Sequence, residues 1–194
     1  MQAEKKEFKR KTRTEQEAAK QAAIDGAVAA AEEESKEAAI DVFDLAAPKE
    51  ILGAFGPSWA AEISALKKWN EKKEKLDVVI EAADTPKLAP GDYSGLFEVL
   101  KKLACDAHVT VSQYAIRAIG LLAKGLREGF HDHGVAAVPV LLPRFKEKRL
   151  TEEILTCLGH IMVCIEFGEV IESLSLVKTE KMPLTKINIM KFTE

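Results

Sequence analysis

The chain has 194 residues, a formal net charge of -3, 47% hydrophobic and 30% charged residues. That length accommodates one globular domain with a sizeable core, and the small net charge excludes a global attraction to nucleic acid, so any electrostatic partner must be read by local patches. No apolar run reaches the roughly 18–20 residues of a membrane span, which excludes a spanning helix and any membrane partner held by one.

The start, MQAEKKEFKRKTR, is basic, with Lys5, Lys6, Lys9, Arg10, Lys11 and Arg13, but no apolar core follows it. It is not a secretory signal. Cys105, Cys157 and Cys164 form no CxxC pair. An odd number of cysteines without a signal points to free thiols in a reducing, cytosolic compartment. Residues 1–40 continue into an Ala- and Glu-rich stretch with few large apolar side chains. They read as a linker or solvated helix, because they bury little surface. The basic cluster is either a solubilising tail or a contact for an acidic polymer.

From Asp41 the pattern changes. Val42, Phe43, Leu45, Ile51, Leu52 and Phe55 are enough to dock on a core. A helix is expected from Pro57 and Ser58, with Ser58 as cap and Trp59, Ile63 and Leu66 on one face. A second runs from about Trp69 to Ala83, with Leu76, Val79, Ile80 and Ala83 inward. Pro86 and Pro90 break the chain after it. Asp92 caps the third, whose Tyr93, Leu96, Phe97, Leu100, Leu103 and Ala104 follow helical spacing. Its partner carries Val111, Ala115, Ile119, Leu122 and Leu126 and stops near Gly129. The next pair is GVAAVPVLLPRFKEK, bent at Pro139 with Pro143 starting its straight part, and TEEILTCLGHIMV, capped by Thr151. A last pair reads FGEVIESLSLV and PLTKINIMKF, with Pro183 in the first turn.

The turns recur: Trp69 to Val109 is 40 residues, His108 to Lys148 is 40 and Lys148 to Lys186 is 38. Helix pairs at that period read as HEAT- or armadillo-type repeats, an all-α solenoid of about four pairs. The chain stops inside the fourth pair without a polar capping repeat, which implies truncation or a cover from elsewhere.

Turns within pairs line up along one edge of such a stack. Here the edge holds Lys67, Lys68, Trp69 and Lys72, then Asp106, His108, Val109 and Thr110, then Lys146, Lys148 and Arg149, then Lys181, Met182 and Lys186. A basic rim around an aromatic anchor has the composition of a protein-binding hot spot for an acidic partner. The plainer reading is that polar turns are Lys-rich and Trp69 folds back into the core. Cys157, His160 and Cys164 share a helix face, but a fourth zinc ligand is missing and packing needs that face. The HDHG turn, with His131 and His133, lacks a nucleophile motif. No Gly-rich phosphate loop or GxSxG is present, so neither an enzyme nor a cofactor is expected.

APKEILGAFGPSWAAEISALKKWNEKKEKLDVV resembles the opening of a TOG domain of the microtubule polymerase family, the array proteins that feed tubulin to microtubule plus ends. GDYSGLFEVLKKLACDAHVTVSQYAIRAIGLLAKGLREGF is similar to the second repeat of such a domain, VPVLLPRFKEKR to the third and KMPLTKINIMKF to the fourth. The resemblance spans residues 41–194 and implies a HEAT-repeat domain that is partial relative to six repeats. It implies αβ-tubulin as partner, its motif falling on Trp69, Val109, Lys148, Arg149 and Lys186, and the edge read from the turns adds Lys68, His108, Lys146 and Lys181 as expected contacts. It further implies a cytoplasmic protein of microtubules, spindle poles and centrosomes, with the basic N-terminal segment near the microtubule lattice. Lys72 stands where the family commonly has Arg, His108 where Asn is usual, and Pro143 has no counterpart. The alternative is a generic HEAT-repeat scaffold that uses its helix faces and is not specific for tubulin.

Overall fold

A computed structural model describes residues 42–166 and 168–170. The chain divides into two units, Met1–Leu45 and Ala46–Glu194. Of the first, only the single helical turn Val42–Leu45 is described, and it leaves Val42 65% and Leu45 74% exposed. Those two side chains therefore do not join a core as expected. Ile51 and Phe55 do, from the segment that follows.

The second unit is built of helix pairs. They are α1 (Pro57–Ala65) with α2 (Trp69–Ala83), α3 (Ser94–Ala104) with α4 (Val109–Leu126), and α5 (His131–Leu141) with α6 (Thr151–Met162). An isolated bridge between Lys49 and Leu88 is the one β-type pairing among the described residues. Helix α4 sits centrally, packed on α3 within its own pair and on α2 and α6 on either side. The fold is the expected all-α HEAT-repeat stack. The fourth pair, with Lys181, Met182 and Lys186, falls outside the described residues.

Apolar spacing explains the packing. Trp59 and Ile63 bury one face of α1, Leu76, Val79 and Ala83 one face of α2, and the six expected residues of α3 are all buried. Val111, Ala115, Ile119, Leu122 and Leu126 fill α4. Phe97 of α3 meets Phe130 edge-on, ring centres 5.7 Å apart, at the entrance to α5. Such edge-to-face pairs contribute about 0.5–1.5 kcal/mol beyond their buried area. Helices α4 and α6 approach closely at Gly120, where a Cβ would stand 3.1 Å from the Cys157 Cα. Only glycine fits that crossing without moving a backbone.

Helix ends depart from the expected ones. Gly56, not Ser58, precedes α1, and Leu150, not Thr151, precedes α6; neither end has a side-chain cap. Asp92 does accept the Ser94 N–H at 3.0 Å, although Tyr93 occupies the cap position. Helix α4 stops at Leu126, short of Gly129, because Arg127 itself takes a positive φ of 47°. Pro139 is carried inside α5, whereas Pro143 lies in the first turn of a separate 3-10 segment, Leu142–Lys146. Proline has no N–H for the α-helical ladder, so the chain tightens there instead of running straight. A second 3-10 turn, Lys148–Leu150, completes the connection to α6.

Candidate functional site

The α1–α2, α3–α4 and α5–α6 turns lie beside one another and are tied by polar contacts. Lys72, one turn into α2, places its Nζ 2.7 Å from Asp106 Oδ2 in the α3–α4 turn. Asp106 Oδ1 accepts the His108 N–H at 2.8 Å, which shapes that turn. The Ser112 hydroxyl donates to the Asp106 carbonyl at 2.9 Å. Arg144, from the third connection, donates to the same carbonyl at 3.2 Å and to the Ser112 Oγ at 2.8 Å. Its other nitrogen pairs with Glu147 at 3.1 Å. One polar ladder thus runs under the edge through three repeats. Lys72 makes this bridge through its single ammonium, to one carboxylate oxygen, and lacks the fork of donors a guanidinium would bring.

The Lys72 and Asp106 side chains are 20% and 17% exposed. Burial pushes the Asp106 carboxyl up, but the Lys72 ammonium and the His108 N–H outweigh it and hold it below the usual carboxylate range. A depressed carboxylate adds stability above its unfolded value of about 3.9 and loses it as pH falls through the folded value. Asp106→Asn removes that dependence. Urea midpoints of wild type and Asp106→Asn are expected to differ at pH 7 and to converge as pH falls through the folded Asp106 value. A constant gap at all pH values refutes the role given to this pair.

Above the ladder stand the candidate contact residues. Trp69 opens α2 and remains 43% exposed. It does not fold back into the core. Lys68 is 79% exposed and 3.3 Å from Glu71. His108 is half-buried, its ring stacked on Trp69 at 4.5 Å and 8°. Val109, half-buried, leans on the core at the start of α4. Lys67, Lys146, Lys148 and Arg149 are exposed. A hollow of about 420 Å³ separates the first two turns, lined by Lys67, Lys68, Trp69, Lys72, Asp106 and His108.

Of the other constellations, Cys157 and Cys164 are packed in the core, and His131 and Asp132 of the HDHG turn lie at the surface. Cys157 and Cys164 are buried in the α4–α6 contact, and burial pushes their thiols up, Cys164 to about 11. The Cys164 thiol donates toward the Ala123 carbonyl at 3.3 Å. No group of three metal-binding side chains occurs among the described residues. His133 stacks on Phe97 at 4.8 Å, and His131 lies 3.0 Å from both Asp132 and Glu169.

Sequence reasoning missed Arg144 and Ser112. The signal was available: Ser112 interrupts the buried stripe of α4, and a fully buried hydroxyl needs a partner.

No protein-family model matches the chain. Among curated proteins it is 36% identical to Protein MOR1 of rice over 151 residues, 76% of this chain and 8% of that one. It is 31% identical to Centrosomal protein 224 of Dictyostelium discoideum over 157 residues, 79% of this chain and 8% of that one. Among solved structures, one from work on microtubule plus-end tracking by XMAP215, CLIP-170 and EB1 superposes with a TM-score of 0.71 at 31% identity. The match covers 77% of this chain and 63% of that one. Another, from work on tubulin recruitment and assembly by microtubule polymerases with TOG domain arrays, gives 0.70 at 29% identity, covering 83% of this chain and 34% of that one.

The chain belongs to the TOG-domain family.

It spans under a tenth of the curated relatives it matches first. The KKW turn ends at Trp69, the first residue of α2, the second turn ends at His108 and Val109, and Lys148 and Arg149 lie in the third.

Proposed function

We propose that this TOG domain binds αβ-tubulin through its turn edge, as one module of a longer microtubule polymerase acting at spindle poles, centrosomes and plus ends. The observation that carries the reading is an exposed Trp69 on the same tethered edge as exposed Lys67, Lys68, Lys146, Lys148 and Arg149. This edge is basic in a chain of net charge -3. Tubulin is acidic, so the cations steer and orient it while the indole supplies desolvated contact. The expected contacts Lys181 and Lys186, and the basic residues 1–40 expected near the lattice, belong to the same proposal and lie outside the described residues. The work is assembly of a polymer, with no covalent chemistry assigned to any side chain. A scaffold that used its helix faces instead would have no need to hold a large indole at a turn.

Titration of soluble αβ-tubulin in a salt series tests this. Binding is expected to weaken as salt rises, and Lys148→Glu with Arg149→Glu to slow association about tenfold. Absence of binding by this chain and by a longer segment containing it overturns the function. Unchanged association by the charge-reversed variant overturns the steering role of the third turn.

A further inference from the structure

An exposed tryptophan at the first position of a helix is ordinarily free to change rotamer. Here it is not. The Trp69 ring lies parallel to the His108 ring, 8° between planes and 4.5 Å between centres. The backbone of His108 is held on both sides, while its ring has no hydrogen-bond partner at the buried Nδ1 among the described residues and lies against Trp69 by stacking. The His108 N–H is held by Asp106 Oδ1 at 2.8 Å, and its carbonyl accepts the Ser112 N–H at 3.1 Å. Asp106 is anchored in turn by Lys72 at 2.7 Å. Lys72 lies one helical turn beyond Trp69 on α2, and its own N–H closes that turn on the Lys68 carbonyl at 3.2 Å. The contacts form a closed ring: Trp69, along α2 to Lys72, across to Asp106, up to His108 and back through the stacked faces.

We propose that His108 is a positioning residue for Trp69, a flat backstop that covers one face of the indole and holds the other ready before the partner arrives. The inference rests on the tubulin reading for its functional consequence, and on the geometry alone for the restraint. Fixing a large side chain before binding removes an ordering cost that otherwise falls on the complex, equivalent to roughly two- to tenfold in affinity. The stack itself needs only a flat ring at position 108 and leaves the backbone bonds of the turn unchanged.

The experiment compares wild type, His108→Ala and His108→Phe, each measured beside a matched Trp69→Phe protein as a blank, so that the difference signal reports Trp69 alone. Time-resolved anisotropy of the free proteins is expected to show a nanosecond indole motion in His108→Ala that wild type and His108→Phe lack. Tubulin affinity is expected to fall two- to tenfold in His108→Ala and to be restored in His108→Phe, with melting temperatures unchanged. In a Trp69→Ala background, His108→Ala is expected to cost nothing further. Unaltered indole motion in His108→Ala overturns the restraint. Additive effects of the two alanines overturn the positioning role and make His108 an independent contact. If wild type does not bind tubulin at all, the partner assignment fails, and the anisotropy still decides the restraint.

Discussion

Trp69→Ala is expected to weaken tubulin binding by at least about 2 kcal/mol, roughly 30-fold, while leaving the melting temperature where it was. The two halves of that expectation have separate causes. Trp69 is 43% exposed and sits at the first position of α2, so its removal opens no cavity in the core. It is also the only large aromatic exposed among the described residues. Aromatic anchors surrounded by polar groups carry a disproportionate share of interface energy, because their apolar area is fully desolvated on contact. The surrounding lysines contribute more to rate and orientation than to residence. Adding Lys148→Ala is expected to lower affinity further, mainly through association. A Trp69→Ala protein that binds tubulin as tightly as wild type removes the anchor from the proposed edge.

Arg144→Leu is expected to cost about 3 kcal/mol of stability, lowering the melting temperature by roughly 6–12 °C. Arg144 is 12% exposed and satisfies the Asp106 carbonyl, the buried Ser112 hydroxyl and Glu147 together. Leucine fills similar space but leaves the Ser112 Oγ and Glu147 without the Arg144 donor and the Asp106 carbonyl with the Ser112 hydroxyl alone, and the penalty for an unmade buried hydrogen bond exceeds the gain from making it. Arg144→Lys keeps the charge and reaches fewer of the acceptors, so it is expected to fall between the two. Thermal melts of the three proteins decide the matter. A leucine variant within about 2 °C of wild type refutes the ladder's energetic importance.

Much of the fold was legible from apolar spacing. The limits of α2 and the inward faces of α3 and α4 follow from side-chain periodicity, and the roughly 40-residue recurrence of turns reflects the stacking repeat itself. Ends were less legible, for a physical reason. A Ser or Thr near a helix start signals a cap, but α1 and α6 are held by packing and begin one or two residues earlier without one. At Pro143 local and tertiary demands conflicted, and the chain resolved them with two short 3-10 turns. The site was legible in part. Spacing identified which turns share an edge, and left open whether Trp69 pointed inward. The partners that settle its orientation are His108, Asp106 and Lys72, which lie in different repeats. No local pattern reports a contact 34 residues away.

In a solenoid held together only by apolar faces, each repeat couples to its neighbour, and end repeats fray independently of the middle. The ladder from Lys72 through Asp106 and Ser112 to Arg144 adds a second, polar connection between the same successive repeats along one border. Opening any one of the three pairs at that border breaks bonds belonging to the next. The three pairs consequently open as one cooperative block. A load applied at the border is shared among the repeats before any single pair can peel away.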